Sequence, residues 1–235
     1  MTHLHLEEID STNAYLKREY QNFDNLSFVS ASYQTSGKGR ENRVWKSNKN
    51  ENALFSYIFK DKKLISSYSC LSIYTAMLVA DFIEKIGIKN VTIKWPNDVY
   101  VNGKKICGIL LEGNVPNYVI VGVGLNVLQK EFPRDLRHPA TSLFLEKNDV
   151  KNVKEILDIL INKIYAFWLN FSTKKLEYEN YLNSHNYLEN KNVKIIQENE
   201  EIFGIVKGID SDNNLLLENA NKNILKIDSG EIEIL

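Results

Sequence analysis

The chain has 235 residues, 43% hydrophobic and 25% charged, with 11 Gly and 4 Pro, which suits one large domain or a medium domain with a small appendage. That composition excludes a disordered or fibrous protein. Lys and Arg number 29 against 30 Asp and Glu, so the net charge of -1 supplies no bulk field toward nucleic acid or an anionic membrane, and any basic feature must be local.

His3 to Leu6 alternates as a short strand, and the polar run Asp10-Ser11-Thr12-Asn13 offers N-caps for a helix through Ala14 to Glu19. Leu26 to Tyr33 reads as a strand. Gln34 to Asn50 then loses all apolar periodicity and reads as a loop, with Lys38, Arg40, Arg43, Lys46 and Lys49 against Glu41 alone, a local charge of +4. Leu54 to Phe59 is a strand, and Ser67 to Ile86 a helix stopped by Gly87. The long apolar stretch Leu64 to Ala80 carries four serines, so it reads as part of a buried helix and falls short of a membrane span. Val91 to Lys94 is a short strand. Tyr100-Val101 and Lys105 to Glu112 form a hairpin on Asn102-Gly103, and Tyr118 to Val127 is a central strand covered on both faces. Helices follow at Val153 to Asn170 and Lys174 to Leu188. The last 45 residues switch to short strands broken at Glu198-Asn199, Asp210 to Asn214, Asn219 to Asn223 and Ser229-Gly230, the pattern of a small barrel or folded sheet.

Cys70 and Cys107 sit in apolar surroundings, which favours reduced core thiols in a cytoplasmic protein over a disulfide framework, and the first twenty residues lack the apolar core of a signal peptide. His3, His5, His138 and His185 have no metal-ligand spacing with each other or with the cysteines. Gly-x-Ser-x-Gly and Walker signatures are absent from the sequence, and Gly122-x-Gly124 lacks the third glycine of a dinucleotide fingerprint.

Two constellations remain. In the basic loop, Gly37 and Gly39 allow backbone N–H groups to turn toward an anion, Lys38, Arg40 and Arg43 supply charge, and Trp45 offers a flat apolar face. A merely solvated basic loop explains the same residues. In Lys94-Trp-Pro-Asn-Asp98, Pro96 restricts the chain just past a strand and so aims Asn97 and Asp98 at its end, while Lys105 opens the next strand. Lys105 is expected to point into the same crevice and Lys104 to solvent; a turn-stabilising Asp98 and an edge-protecting Lys105 are the alternatives.

Taken together, Asp10-Ser-Thr-Asn13, Gln34 with Gly37-Lys-Gly-Arg40 and Trp45, Lys94-Trp-Pro-Asn-Asp98, Lys105 with Ile106 to Glu112, Gly122-Val-Gly-Leu-Asn126 and Ala140-Thr-Ser-Leu143 resemble the biotin protein ligases. Ile202-Phe-Gly-Ile, Gly208-Ile-Asp210 and Ser229-Gly-Glu231 are similar to that family's small C-terminal domain, so the resemblance runs through the whole chain. It implies an α+β fold: a central mixed β-sheet flanked by helices over residues 1–190, then an SH3-like β-barrel over 191–235.

The resemblance also implies ATP-dependent formation of biotinyl-5'-AMP with Mg2+ on the phosphates, then transfer of biotin to a lysine of a biotin carboxyl carrier protein or domain. It assigns biotin binding to Ser11, Thr12, Asn13, Gln34, Gly37, Lys38, Arg40, Lys105 and Gly108. Nucleotide binding falls to Arg40, Arg43, Trp45, Asn97 and Asn126, and catalysis to Arg40, Lys105 and Asp98; no metal ligand is assigned. Cationic groups are what this chemistry needs, because an anionic carboxylate must approach an anionic phosphate. Lys38 stands where arginine is common in the family, and Glu41-Asn42 where a basic residue and glycine are common, with Asn42 expected either to stiffen the loop or to use a left-handed conformation.

Many bacterial relatives carry an N-terminal winged helix-turn-helix; here the motifs begin at residue 10, so the expected form is monofunctional, cytoplasmic, free of DNA and membrane, with a homodimer through a sheet edge as one allowed arrangement. Lipoate-protein ligase or octanoyl transferase activity is the nearest enzymatic rival, and a noncatalytic biotin sensor the rival of another class. A nucleic-acid-binding module fits least, since the basic patch is confined to one loop.

Overall fold

A computed structural model describes residues 1–41, 43–65, 68–133, 136–150, 152–171, 180–197 and 200–235. Strands β1 (His3–Leu6), β2 (Phe28–Ala31), β3 (Asn52–Phe59), β4 (Val91–Lys94), β5 (Asp98–Val101), β6 (Lys104–Asn114) and β7 (Tyr118–Asn126) form one sheet in the order β1-β2-β3-β7-β6-β5-β4. Only β1 and β2 run parallel; the other neighbours are antiparallel, so the sheet is mixed as expected. Asn102 and Gly103 both take positive φ, 50° and 74°, which is what a tight two-residue hairpin needs between β5 and β6.

Alternation along the strands divides the sheet into two faces. Val119, Val121, Val123 and Leu125 of β7 join Ala53, Phe55, Tyr57 and Phe59 of β3 under the two long helices Tyr68–Lys85 and Val153–Leu169. These side chains form the main core. On the other face Ile58 and Ile120 pack with Leu16 of helix α1 (Thr12–Glu19) and with Phe23 and Val29 as a smaller cluster. That cluster covers only part of the second face. Further along, Gly122, Gly124 and Asn126 of β7 and Gly108 of β6 leave the floor low, and a cavity opens there.

A β-bulge decides where Lys105 points. Val99 pairs with Cys107 but Tyr100 pairs with Lys105, so Ile106 is the extra residue, and Ile106 and Cys107 are both fully buried in the core. Strict alternation back from Cys107 would send Lys105 into that core; the inserted residue turns it to the cavity face instead. Lys105 lines the cavity and Lys104 is exposed, as the sequence led us to expect.

Residues Asn192–Gln197 (β8), Glu200–Ile209 (β9), Leu215–Glu218 (β10), Ile224–Ile227 (β11) and Glu231–Ile234 (β12) form a second, antiparallel sheet in the order β11-β10-β9-β8-β12. The expected SH3-like barrel is thus an open one, with β11 and β12 as edges that do not pair with each other. Its Val193, Ile195, Val206 and Leu215 belong to the same core cluster as the large sheet, so the two sheets are packed together. Of the helix expected over Lys174 to Leu188, residues 174–179 lie outside the described ones; 180–184 are helical, and Leu188 belongs to a turn, where its buried side chain packs into the core.

The basic loop is not irregular throughout. Trp45 N–H donates to Gly37 O at 3.0 Å, Gly39 N–H to Arg43 O at 2.7 Å, and Lys38 bridges Val44, so 37–39 and 43–45 pair as the arms of a small hairpin. Glu41 takes φ 54° at its tip; Asn42, expected to stiffen the loop or to be left-handed, lies outside the described residues. Cys70 and Cys107 are buried thiols not joined in a disulfide, and burial pushes the Cys107 thiol well above its ordinary range.

Candidate active site

The cavity, of about 430 Å3, lies on the glycine floor between α1, the basic hairpin and the start of β12. That volume suits a ligand of small-molecule size. Its two ends differ in chemistry. At one end Ser11 caps α1, accepting from Ala14 N–H, and Thr12 and Asn13 follow on the first turn. Gln34 Oε1 accepts from Thr12 N–H at 2.8 Å, which fixes the glutamine amide against the helix start. Ser56, from the cavity face of β3, lies 2.6 Å from the Thr12 hydroxyl and donates to Asn13 Oδ1 at 2.6 Å. Asn13 Nδ2 in turn donates to Glu112 of β6 at 2.9 Å.

At the other end cations gather. Lys105 Nζ lies 2.7 Å from Asp98 Oδ1 as an ion pair, although the approach is not aligned as a hydrogen bond. Arg40 reaches Asn97 Oδ1 at 3.4 Å and Gly230 O at 3.0 Å, and Asn97 Nδ2 is anchored on Ile109 O at 2.7 Å. Arg43 pairs with Glu41 at 2.5 Å and with Glu231 at 2.6 Å; Arg137 also reaches Glu231. Lys94, 7% exposed, places its ammonium 3.4 Å from His138 Nε2. Burial first, and then the positive charges of Lys105 and Arg137, outweigh the opposing charge of Asp98 and leave the Lys94 ammonium less basic than an ordinary lysine. His138 is held to about 4 by burial first and then by the neighbouring Lys94 and Arg137, so it is a neutral acceptor at pH 7.

Between the two ends the Trp45 indole lies on the floor. A Cβ on Gly124 would fall 2.5 Å from its ring, and one on Gly108 3.0 Å away, so both positions need glycine for the indole to sit there. Lys105 Nζ is 5.8 Å from the ring centroid, and the buried indole N–H has no hydrogen-bond partner among the described residues.

Ser11, Thr12, Asn13, Gln34, Lys38, Arg40, Arg43, Trp45, Asn97, Asp98, Lys105, Gly108 and Asn126 all line this one cavity. Gly37 does not line it; it is buried beneath Trp45, where a Cβ would strike the Trp45 carbonyl at 2.7 Å. Lys38 is largely exposed at the rim. Asn126 has both amide ends bound within the protein, accepting from Asn52 at 3.0 Å and donating to Thr141 O at 2.9 Å, so it braces the wall. The Asn13 amide is likewise held by Ser56 and Glu112. Sequence reasoning assigned no role to Ser56, Lys94, Glu112, Arg137, His138 or Glu231. Strand parity is the signal that could have found Ser56 and Glu112, since both share a face with the floor glycines.

These features agree with what the chain is similar to. Residues 6–126 match the biotin/lipoate A/B protein ligase family and residues 190–235 the biotin protein ligase C-terminal domain. The chain belongs to the biotin/lipoate A/B protein ligase family. It is 34% identical over 219 residues to the bifunctional ligase/repressor BirA of Bacillus subtilis, covering 88% of this chain and 66% of that relative. A biotin--[acetyl-CoA-carboxylase] ligase of Mycobacterium tuberculosis is 33% identical over 117 residues, 48% of this chain and 43% of the relative. Among solved structures, biotin protein ligase from Aquifex aeolicus in complex with biotin and ATP superposes with a TM-score of 0.84 at 29% identity, covering 100% of this chain and 98% of that one.

Proposed function

We propose that this protein is a biotin protein ligase that activates biotin with ATP to biotinyl-5'-AMP and passes the biotinyl group to a lysine of a biotin carboxyl carrier protein or domain. The observation that carries this reading is the single cavity with a hydroxyl and amide array at one end, cations at the other and a glycine floor between them. A urea head group matches the first end and a carboxylate meeting a nucleotide phosphate matches the second.

In the first half reaction a biotin carboxylate oxygen attacks the α-phosphorus, a P–O bond forms, and the bond to pyrophosphate breaks. Arg40 and Lys105 neutralise the two approaching anions, the contribution of fixed charge expected where charge concentrates in the transition state. The Asp98 pair holds Lys105 on the cavity face until a carboxylate replaces Asp98 as its partner. In the second, a neutral lysine nitrogen attacks the acyl carbon, AMP leaves, and the lysine proton is lost to Asp98 once Asp98 is released from Lys105. The Trp45 indole supplies the flat face for adenine, and the hairpin 37–45 covers the mixed anhydride against water.

Mg2+ enters as part of the nucleotide substrate. Among the described residues no three His, Cys, Asp or Glu side chains converge to hold a metal, and the Asp98 carboxylate is engaged by Lys105. A division of labour at about residue 190, a cytoplasmic setting without DNA, and a homodimer through a sheet edge complete the proposal. Among the described residues no helix is long and apolar enough to cross a membrane.

Pyrophosphate release from ATP with biotin and Mg2+, followed by mass analysis after adding a carrier domain, tests the reading. Biotin-dependent release and one biotinylated lysine are expected. Release with lipoate and none with biotin would overturn it in favour of the lipoate branch of the family, and binding without either turnover would overturn it in favour of a sensor.

A further inference from the structure

Among the described residues Lys94, 7% exposed at the end of β4, is the one charged side chain that is buried. An ammonium taken out of water is costly unless an anion meets it. Among the described residues no carboxylate lies within ion-pair distance of Lys94: Asp98, the acid that faces it, is engaged by Lys105 at 2.7 Å, and the other charges around it, Lys105, Arg137 and Lys191, are positive. An ammonium carries three donors. The one acceptor that Lys94 finds among the described residues is His138 Nε2 at 3.4 Å, a neutral partner, with the Tyr100 ring centroid 6.0 Å away. Lys94 also lines the cavity, so an anion entering there can reach it.

The place of Lys94 in the sheet says which anion. Gly124 of β7 pairs with Gly108 of β6, Gly108 with Asp98 of β5, and Asp98 with Lys94, so one cross-strand row runs from the glycine floor to the buried ammonium. Neighbouring strands lie about 4.8 Å apart, which sets Lys94 two strands beyond β6, the strand that carries Lys105. In the proposed reaction the carboxylate and the α-phosphate meet at Lys105 and Arg40, and the anions that extend past them along this row are the outer phosphates of the nucleotide. We propose that Lys94 binds the β- and γ-phosphates of ATP and neutralises pyrophosphate as it leaves, a substrate contact confined to the first half reaction. In that step the bond between the α-phosphorus and the bridging oxygen breaks, its electron pair departs with pyrophosphate, and Lys94 keeps its proton throughout. The inference rests on the reading of the protein as a biotin protein ligase.

The test separates the two half reactions in the full-length protein. Lys94→Met keeps most of the aliphatic stem and removes the charge. Its kcat/KM for ATP, from biotin-dependent pyrophosphate release, should fall by about 10²-fold, the usual cost of losing one fixed partner of a developing anion. Inhibition by added inorganic pyrophosphate should weaken with it. Single-turnover transfer from added biotinyl-5'-AMP to a carrier domain should keep its rate, because the adenylate carries no pyrophosphate, and Lys94→Arg, which restores the charge, should recover part of the loss. The melting temperature of Lys94→Met should equal or exceed that of the wild type, since a buried charge without an anion opposes folding; a lysine kept for the fold would move it down. Turnover is counted per folded molecule, and Lys94→Arg supplies the second variant. Equal losses in both half reactions would assign Lys94 to Asp98 or to the α-phosphate and overturn the inference, as would unchanged ATP kinetics with unchanged pyrophosphate inhibition; either leaves the ligase reading standing. Wild-type protein that releases no pyrophosphate with biotin would instead remove the reading beneath it.

Discussion

Single side chains in this cavity are placed by their neighbours more than by their own preferences, and that makes their loss predictable. Lys105 is half-buried, paired with Asp98, and contributes no core contact, so Lys105→Ala should lower adenylate formation by about 10²-fold or more, in line with removal of a fixed charge at a developing anion. Its melting temperature should stay within a few degrees of the wild type, and a large loss of stability with normal turnover per folded molecule would assign Lys105 a structural role. Gly124 is the second such position: a methyl group 2.5 Å from the indole forces Trp45 off the floor, so Gly124→Ala should raise the KM for ATP, measured by pyrophosphate release, more than it alters the secondary structure. His138 yields a pH prediction. Its folded value of about 4 lies below the ordinary 6.5, so between those values the unfolded chain binds the extra proton and stability falls as pH drops. The stability difference between wild type and His138→Gln, from urea melts at pH 7 and pH 4.5, should shift toward the variant at the lower pH, since glutamine keeps an acceptor for Lys94 and has no proton to gain.

At the level of elements, the turn after β9 links a local cap to the site. Asp210 Oδ1 accepts from the N–H groups of Asp212 and Asn214, both at 2.9 Å, and its carboxylate pairs with Lys226 at 2.9 Å. Burial pushes that carboxyl up, but the bonds from Lys226 and Asn214 outweigh it and hold it at about 2. The same turn presents Asn213 O to the Trp95 indole N–H at 2.9 Å. Asp210→Ala should therefore cost about 1.5–3 kcal/mol in unfolding free energy, the usual worth of hydrogen bonds to a charged group, read by chemical denaturation. That turn was visible in the sequence as Asp210 to Asn214, as was the Asn102-Gly103 hairpin, because turns of this kind depend on residues adjacent in the chain. The basic loop was harder to read: its pairing of Lys38 with Val44 uses backbone groups, which leave no apolar pattern. The Lys105 side was expected from its charge and the hydrophobic run after it, yet the bulge at Ile106 that achieves it has no local sequence mark. Ser56 and Glu112 were missed for a related reason. Their partnership with Asn13 spans 43 and 99 residues and exists only once β3, β7 and β6 are in register.

For the molecule as a whole, the small sheet behaves as a wall of the cavity rather than as an appendage. Gly230 O receives Arg40, Glu231 receives Arg43 and Arg137, and Asn213 O receives Trp95, so three segments of the large sheet's loops close on the small one. Asn183 adds a fourth tie, donating to Ile209 O at 2.9 Å and accepting from Ile209 N–H at 2.8 Å. Beneath these polar ties the apolar core runs without interruption from Phe55 and Tyr74 to Val193 and Leu215. Arg43 and Arg137 are nearly half exposed, so each of their ion pairs contributes about 1 kcal/mol at most, and continuity of the core is what must hold the sheets together. Calorimetry should accordingly show one unfolding transition, with van't Hoff and calorimetric enthalpies equal. Removing polar ties alone, as in the double variant Trp95→Phe and Arg137→Ala, should lower the transition without splitting it, and should loosen the cavity enough to raise the KM for ATP. Two resolved transitions in the wild type would mean that the interface is weaker than its continuous core implies and that Arg40 is held by a mobile wall.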